Sequence, residues 1–428
     1  MTDLYVSKKE RSIDWRGCVF NKKYLLIQYL CCGSYGSIWL VNKINTDEYY
    51  ALKICNTYDT RENKRELDAF VFLKKYSFKN IIKPVDIFYY YLSNNKKYTN
   101  NEKPLHICIV MELKACSLYD LLKTNKYAKG FHINAVIKMT YQLLLGLRDL
   151  HSIPVIHSDI KPDNLLLNGI TSHIKDIMSK LSKIKNIKNQ KNYVLKYINR
   201  HVVESDISSE EILEDSEINS DSNSELILSS PSSLRNSSEN LNNFDNASDD
   251  ARELIISDNY ITNPVIQIAD MGMCILPNGK CIGHHAQTLY YKAPEVILGL
   301  KYGTEIDMWS VGCTLCELLV GEILFNTDND NKYRMRDHLK QMYNMLGPIP
   351  DEMVNKSPRK ELYFTRNNVL KNQDSLKYVP FWNILHEYLS ATNNVQSCEI
   401  LDLLFKLFKY QNRITAEEAI KHKLFNEI

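Results

Sequence analysis

Long apolar runs are missing from this chain of 428 residues. The longest, Ile87 to Leu92 and Ile107 to Met111, fall far short of the roughly 20 residues a membrane-spanning helix needs. No membrane partner is expected. A dominant charge sign is missing too. Lys and Arg number 53 against 51 Asp and Glu, a formal net charge of +2. That balance argues against wholesale binding to nucleic acid or to an anionic surface, so no direct nucleic-acid contact is expected. The N-terminal residues MTDLYVSKKERSIDWRG have no apolar segment behind their charges and do not read as a secretory signal. Glycine is scarce, at 14 residues, while Asn, Lys, Ile and Tyr abound. That reads as a nucleotide-composition bias of the source genome and implies no function. The eleven cysteines are odd in number and follow no repeat. They read as buried, reduced thiols in a cytoplasmic or nuclear compartment. What is present is 44% hydrophobic residues. That is enough for one large or two modest cores and too much for a wholly disordered chain.

The texture changes along the chain. From about residue 14 to 113, short apolar, β-branched or aromatic runs alternate with turns: Tyr24 to Leu30, Ser37 to Asn42, Tyr49 to Ile54, Ile81 to Tyr91 and Leu105 to Glu112. They predict a small antiparallel sheet. Arg61 to Lys75 interrupts them with Leu67, Phe70, Val71 and Lys74 at helical spacing. From Ser117 onward the pattern is helical. Ile133 to His151 is a long amphipathic segment, Ile306 to Leu319 is apolar nearly all round, and Ile400 to Phe408 and Thr415 to His422 follow. Thr415 and Glu418 have the spacing of a capping box.

An insertion spans 169–262. Its first part, Thr171 to Arg200, carries seven Lys and one Arg against one Asp, with Ile174, Ile177, Leu181, Ile184 and Ile187 at helical spacing. It predicts an amphipathic helix that docks on the body. Its second part, His201 to Asp258, has fifteen acidic residues against two Arg, and many Ser and Asn. Such sequence buries too little surface to offset chain entropy, so 201–260 is expected to be disordered. The divisions are thus an N-terminal extension (1–23), a β-rich unit (24–113), a helical unit in two parts (114–168 and 263–428), and the insertion between those parts.

Five separated blocks carry chemistry. Leu30-Cys31-Cys32-Gly33-Ser34-Tyr35-Gly36-Ser37-Ile38 sits between strand patterns, and its glycines let a hairpin backbone lie close over phosphates. Alone, two glycines three apart are as well explained by an ordinary turn. In Tyr50-Ala51-Leu52-Lys53-Ile54 a lysine alternates with apolar residues, so its ammonium can enter a cleft while its stem is buried. By itself it equally suits an edge. The decisive block is His157-Ser158-Asp159-Ile160-Lys161-Pro162-Asp163-Asn164-Leu165-Leu166. A carboxylate, a cation two residues on and a carboxamide five residues on supply a base, a positive charge and a metal-binding oxygen. Gln267-Ile268-Ala269-Asp270-Met271-Gly272 adds a second carboxylate after a strand, and Thr288 to Glu295 reads Thr-Leu-Tyr-Tyr-Lys-Ala-Pro-Glu.

In this order the blocks resemble the protein-kinase signature set: glycine loop, strand lysine, catalytic loop, Asp-Phe-Gly and Ala-Pro-Glu. The resemblance covers nearly all of the chain outside the N-terminal dozen residues and the insertion. It implies an α+β, bilobal fold, with a small β-rich lobe holding one helix and a larger, mainly helical lobe. It implies a Ser/Thr protein kinase using ATP and Mg²⁺ on protein substrates. Asp159 and Lys161 would be catalytic. Asn164 and Asp270 would hold the metal ions. Lys53 would bind phosphates and pair with a helix acid, Glu66, with Asp68 as competitor. Leu30, Ile38, Ala51 and Leu166 would wall the base, Glu112 and Lys114 would face it at the hinge after Met111, and Cys31, Cys32, Gly33, Ser34, Tyr35, Gly36 and Ser37 would cover the phosphates. Asp307-Met308-Trp309-Ser310-Val311-Gly312 in the apolar helix matches the family too, and Arg413 would pair with Glu295. Tyr290 and Tyr291 would wall the site beside the acceptor.

Within the family the chain is most like the SR-protein kinases, part of the group that also holds the cyclin-dependent and mitogen-activated kinases. His157-Ser158-Asp159 resembles their His-Thr-Asp, their domain is also split by a long spacer, and the segments around Phe20 to Tyr24 and Lys332 to Leu339 look alike. Arg/Ser-rich substrates and a monomer follow as expectations. Ala293-Pro294-Glu295 is the general form of the wider group. Three departures stand out: Cys31 for the first loop glycine, Met271 for Phe, and Ser158 for the Arg that in many members holds a phosphorylated activation loop. The last predicts an enzyme active without that phosphorylation. The alternative is a catalytically weak pseudokinase scaffold. Cys313-x-x-Cys316 lies on an all-apolar helix and reads as core, not as a zinc site. With no motif residue inside it, deletion of 171–258 is expected to leave catalysis largely intact.

Overall fold

The computed structural model describes residues 13–33, 36–55, 61–91, 105–198, 260–277, 279, 286–327, 334–371 and 395–428. The expected disorder of 201–260 falls, up to residue 259, outside these residues, as do Ser34 and Tyr35.

The small lobe is a six-stranded antiparallel sheet in the order β1-β2-β3-β4-β6-β5. Its strands are β1 (Val19–Phe20), β2 (Tyr24–Gly33), β3 (Gly36–Lys43), β4 (Tyr49–Cys55), β5 (Pro84–Tyr91) and β6 (Leu105–Glu112). The side-chain period of two divides each strand between faces. Leu52 and Ile54 of β4 join Trp39, Val41, Cys108 and Val110 in an outer core. Ala51 and Lys53 take the opposite side, toward the rest of the molecule. The sheet begins before residue 24: Val19 pairs with Leu25 and Phe20 with Tyr24, and Trp15 and Phe20 are buried in the outer core. A two-residue strand leaves no periodic trace in a sequence. Helix α1 (Arg61–Leu73) lies between β4 and β5 and buries Glu66, Ala69, Phe70 and Leu73. The run from Ile81 enters the sheet only at Pro84. Ile81 and Ile82 instead meet Ile268 of the large lobe, with Ile82 N donating to Ile268 O at 2.9 Å.

The large lobe is helical. After α2 (Leu118–Leu122), the long α3 (Ile133–Ser152) buries Val136, Met139, Leu143, Leu144, Leu147 and Leu150 at the spacing read from sequence. A small sheet follows, in which β8 (Leu165–Leu167) lies between β7 (Cys116–Ser117) and β9 (Ile266–Ile268). The insertion begins at its turn with α4 (Ser172–Ser182) and α5 (Ile187–Tyr197). Next come α6 (Pro294–Leu298) and α7 (Glu305–Val320), the latter buried from Ile306 to Leu319. Cys313 and Cys316 lie within it, and burial pushes both thiols well up; they pack the core. Gly130 has φ +86, and a Cβ there would sit 2.1 Å from Leu319 O, so only glycine lets this loop close on the end of α7. Helices α8 (Arg334–Leu346), α9 (Asp351–Lys356), α10 (Lys360–Tyr363), α11 (Val395–Leu407) and α12 (Ala416–Ala419) complete the lobe. The capping box forms as expected, with Glu418 N donating to Thr415 Oγ1 at 3.2 Å and Thr415 N to Glu418 Oε2 at 2.9 Å. Nine of the eleven cysteines are free thiols, Cys31 and Cys398 exposed rather than buried as expected, and among the described residues no helix is long and apolar enough to cross a membrane.

Candidate active site

The site lies where β2, β3 and β4 face β8, β9 and the loop after α3. Strand pairing sets its upper half. Gly33 lies opposite Gly36 at the β2–β3 turn, and Ile38 lies opposite Lys53. A Cβ on Gly36 would meet Ile54 O at 2.3 Å, so the hairpin can cross β4 only as glycine. Leu30 and Ile38 are half-buried, Ser37 and Ala51 are buried, and Cys31 is exposed. Cys32 and Gly33 are defined here as strand backbone.

Lys53 is nearly inaccessible and forks onto Glu66, with Nζ 2.8 Å from Oε1 and 2.7 Å from Oε2. Its Nζ also lies 3.9 Å from Asp270 Oδ1. Burial alone would lower this ammonium, but the two carboxylates more than offset it and hold it above its ordinary value. The competitor Asp68 points to solvent. Glu66 meets Lys53 because it shares the inward face of α1 with Ala69, Phe70 and Leu73.

The lower half is a polar loop held from beneath by α7. Asp307 Oδ2 accepts from His157 N and Oδ1 from Ser158 N, both at 2.8 Å. Its other partner is His151 at 3.0 Å. Ser158 takes φ 58 and its hydroxyl donates to Met273 O. It thus ties the loop to the segment after Asp270 without any cationic arm. Asp159 follows, with Lys161 Nζ at 3.0 Å. Thr288 Oγ1 donates to Asp159 Oδ1 at 2.6 Å, and Lys161 Nζ donates to the same hydroxyl at 3.0 Å. Burial would raise the Asp159 carboxyl, but Lys161 and the Thr288 hydroxyl overcome it and hold it below the usual carboxylate range. Asp159 is therefore an anion at neutral pH. Asn164 Nδ2 donates to Asp159 O at 2.8 Å and Oδ2 at 2.9 Å. With its nitrogen spent there, its carbonyl oxygen is the group left for other use.

Asp270 enters from β9. Leu165 pairs with Ile268, and Ala269 N donates to Asn164 O at 2.9 Å, so the two short strands fix Asn164 and Asp270 side by side. Asp270 is left-handed (φ 62, ψ 85), and its Oδ1 accepts from Gly272 N at 3.1 Å. Met271 is fully buried, in the apolar slot expected of it.

At the hinge, β6 ends with Met111 buried and Glu112 exposed. Lys114 Nζ pairs with Glu112 Oε2 at 2.8 Å and donates to Asn168 Oδ1 at 2.6 Å. Leu166 on β8 is half-buried below. Further along, Arg413 meets Glu295 at 2.6 and 3.2 Å, as the resemblance implies. Tyr291 is buried, its hydroxyl donating to Glu317 Oε2 at 2.5 Å.

The blocks therefore converge. Sequence reasoning missed the parts that support them. Thr288 was visible only as the first residue of its block, yet it bridges Asp159 and Lys161. Asp307 was legible as the first residue of a run that matches the family, but its place beneath the catalytic loop was not; a lone acid in an apolar helix needs partners, and that was the only hint of it. Gln287, left-handed at φ 65, donates to Ile306 O at 2.8 Å and Ser310 Oγ at 2.7 Å and accepts from Ala293 N at 2.9 Å. It gave no signal.

The protein kinase domain matches residues 24–179 and 251–425. A putative serine/threonine-protein kinase, L205, of Acanthamoeba polyphaga mimivirus is 26% identical over 96% of this chain and 89% of its own length. The serine/threonine-protein kinase SRPK of Physarum polycephalum is 27% identical over 100% of this chain and 93% of its own. The human dual specificity protein kinase CLK1 is 29% identical over 75% of this chain and 50% of its own. These relatives agree with the branch inferred from the motifs, and nothing among them favours a pseudokinase. The chain belongs to the protein kinase family and stands with the serine/threonine kinases of its SR-protein kinase group.

Proposed function

We propose that the chain transfers the γ-phosphate of ATP to Ser or Thr hydroxyls, that its natural targets are Arg/Ser-rich proteins, and that it does so as a monomer without phosphorylation of its activation segment. The observation that carries this reading is the joint placement of Lys53, Asp159, Lys161, Asn164 and Asp270 around one cleft. Asp159, ionised and buried, orients the acceptor hydroxyl and takes its proton. Lys161 faces the charge that develops on the transferred group. Lys53, pinned by Glu66, holds the α- and β-phosphates. The free carbonyl oxygen of Asn164 and the Asp270 carboxylate form a hard oxygen donor set of the kind that suits Mg²⁺. When bound, Mg²⁺ screens the phosphate charges. The half-buried Leu30 and Ile38, with Ala51 and Leu166, suit an adenine, and Glu112 and Lys114 stand at its edge.

Independence from phosphorylation rests on Ser158. The catalytic loop is tied to Met273 by a neutral hydroxyl, and Thr288 already bridges Asp159 and Lys161. No cation is provided at that position to gather a phosphorylated loop. The Arg/Ser preference rests on the branch alone. The test is γ-phosphate transfer to Arg-Ser, acidic and proline-directed peptides by phosphatase-treated protein, with Asp159→Ala as blank. Transfer to the Arg-Ser peptide above the others is expected. Equal use of all three peptides would remove the substrate reading, and collapse after phosphatase would remove the autonomy.

A further inference from the structure

The 171–200 stretch folds as two helices, α4 and α5, where the sequence predicts one, and it turns most of its lysines outward. Ile174, Ile177 and Leu181 of α4 and Val194 of α5 are buried on the inner side. The outer side is cationic. The two helices and their turn carry seven lysines and one acid, Asp176, which Lys180 takes at 2.6 Å. Lys183, Lys185, Lys188 and Lys196 are exposed, and no described residue forms an ion pair with them. The turn that displays the first three is held in place. Asn186 Oδ1 accepts from Lys188 N and Gln190 Nε2 donates to Ile184 O, both at 2.8 Å. Like charges gathered in this way repel one another and call for a counter-charge. The chain carries one close by. Glu204 to Glu225 holds nine acids and no base. The stretch that contains it, 199–259, starts and ends on the same helix pair. It follows Ile198, which is buried in one cluster with α4. It closes at Tyr260, whose ring would sit 2.8 Å from a Cβ on Gly169 and lies 5.9 Å from Lys175 Nζ.

We propose that the outward lysine face of α4 and α5 is the docking surface for the chain's own acidic run, Glu204 to Glu225. Charge complementarity selects the occupant, and reach permits it. The six residues from Ile198 to Glu204 span up to about 20 Å, and the path from Ile198 back along α5 to Lys188 is about 15 Å of helix. The acids therefore reach the whole row from Lys196 to Lys183. Attachment at both ends keeps them near it at an effective concentration on the order of millimolar. The attraction falls off over about 8 Å at physiological salt and requires no fixed conformation of the acids. Once docked, the run neutralises the lysines, and an outside polyanion finds the face already occupied.

The test places donor and acceptor fluorophores on non-natural residues at Asn189 and Asn219 in the full chain and follows their separation with salt. The sign discriminates. An undocked acidic segment contracts as salt screens its self-repulsion, whereas a docked one is released. Raising NaCl from about 0.02 to about 0.5 M should lengthen the mean separation by about half or more. Changing Lys183, Lys185 and Lys188 together to Gln should lengthen it equally at low salt and leave the melting temperature unchanged. Heparin serves as the outside probe. It should bind the parent about tenfold more weakly than a chain whose nine acids in 204–225 are Gln or Asn, as for a face about nine-tenths occupied. Neutralising instead the six acids between Glu239 and Asp258 should change heparin binding less than about twofold. A separation that shortens with salt and ignores the lysine changes would overturn the proposal. So would heparin binding the parent as tightly as the chain neutralised in 204–225, because the face would then stand open to an outside partner.

Discussion

Two regions join the lobes, and they do so with opposite chemistry. On the cleft side the link is polar: Lys53 of β4 sits 2.7 Å from Glu66 and 3.9 Å from Asp270 of the large lobe. On the hinge side it is apolar: the α4–α5 pair buries isoleucines and leucines against the sheet. A polar link is directional and fixes where charges stand. An apolar link is non-directional and holds surfaces together without specifying a charge. Charge placement and apolar packing are thus assigned to different side chains, and each can be broken alone.

The largest effect should follow from striking the chemistry. Asp159→Asn can still accept from Asn164 Nδ2 and can donate to Thr288 Oγ1 in place of accepting from it, but it removes the base and its charge. Turnover should fall about 10²–10⁴-fold, with melting temperature nearly unchanged, measured by steady-state kinetics beside calorimetry. A comparable loss of melting temperature would show that the two links are not separable. Next comes the apolar side. Ile177 is 3% exposed, and Ile177→Ala should cost about 2–4 kcal/mol of stability, read by denaturant unfolding. Loss of turnover at saturating ATP in the remaining folded protein would blur the contrast.

The smallest effect is electrostatic and lies on α7, apart from both links. Burial raises the Glu317 carboxyl to about 7 from 4.5, the Tyr291 hydroxyl opposing and Asp163 adding to the rise. The folded pKa exceeds the unfolded one, so the folded state binds the extra proton. Stability from this group is complete below pH 4.5 and is lost as pH climbs through 7. Glu317→Gln still accepts from Tyr291 but cannot ionise. Relative to the parent it should gain about 2–3 kcal/mol between pH 5 and pH 8, seen as diverging melting curves. A constant difference across that range would place the Glu317 titration elsewhere.

The same contrast explains what the sequence made legible. Lys53, Asp159, Lys161, Asn164 and Asp270 sit in short blocks whose residue types are dictated by phosphate and metal chemistry, so they could be named without a structure. Strands β2 to β6 and helices α3 and α7 were legible through their periods. The α4–α5 pair was legible only in part. Ile174, Ile177 and Leu181 announce that a buried face exists, but an apolar face carries no address, and nothing in 171–200 says that the partner is Leu25, Ile27 and Leu113. Glu66 and Asp68 could not be separated by counting, because a two-residue shift on a helix is a rotation of about 200° that only packing decides. Thr288 and Asp307 were legible only as members of matching runs, because their contacts exist only across more than a hundred residues of intervening chain.

The measurement that bears most directly on the account is a crystal structure of the full chain with a non-hydrolysable ATP analogue and Mn²⁺ in place of Mg²⁺, the ions located by anomalous scattering. The account predicts metal on the Asn164 carbonyl oxygen and the Asp270 carboxylate, with the terminal phosphate between Lys161 and Lys53. Metal and phosphate bound away from these four side chains, at saturating nucleotide, would contradict it.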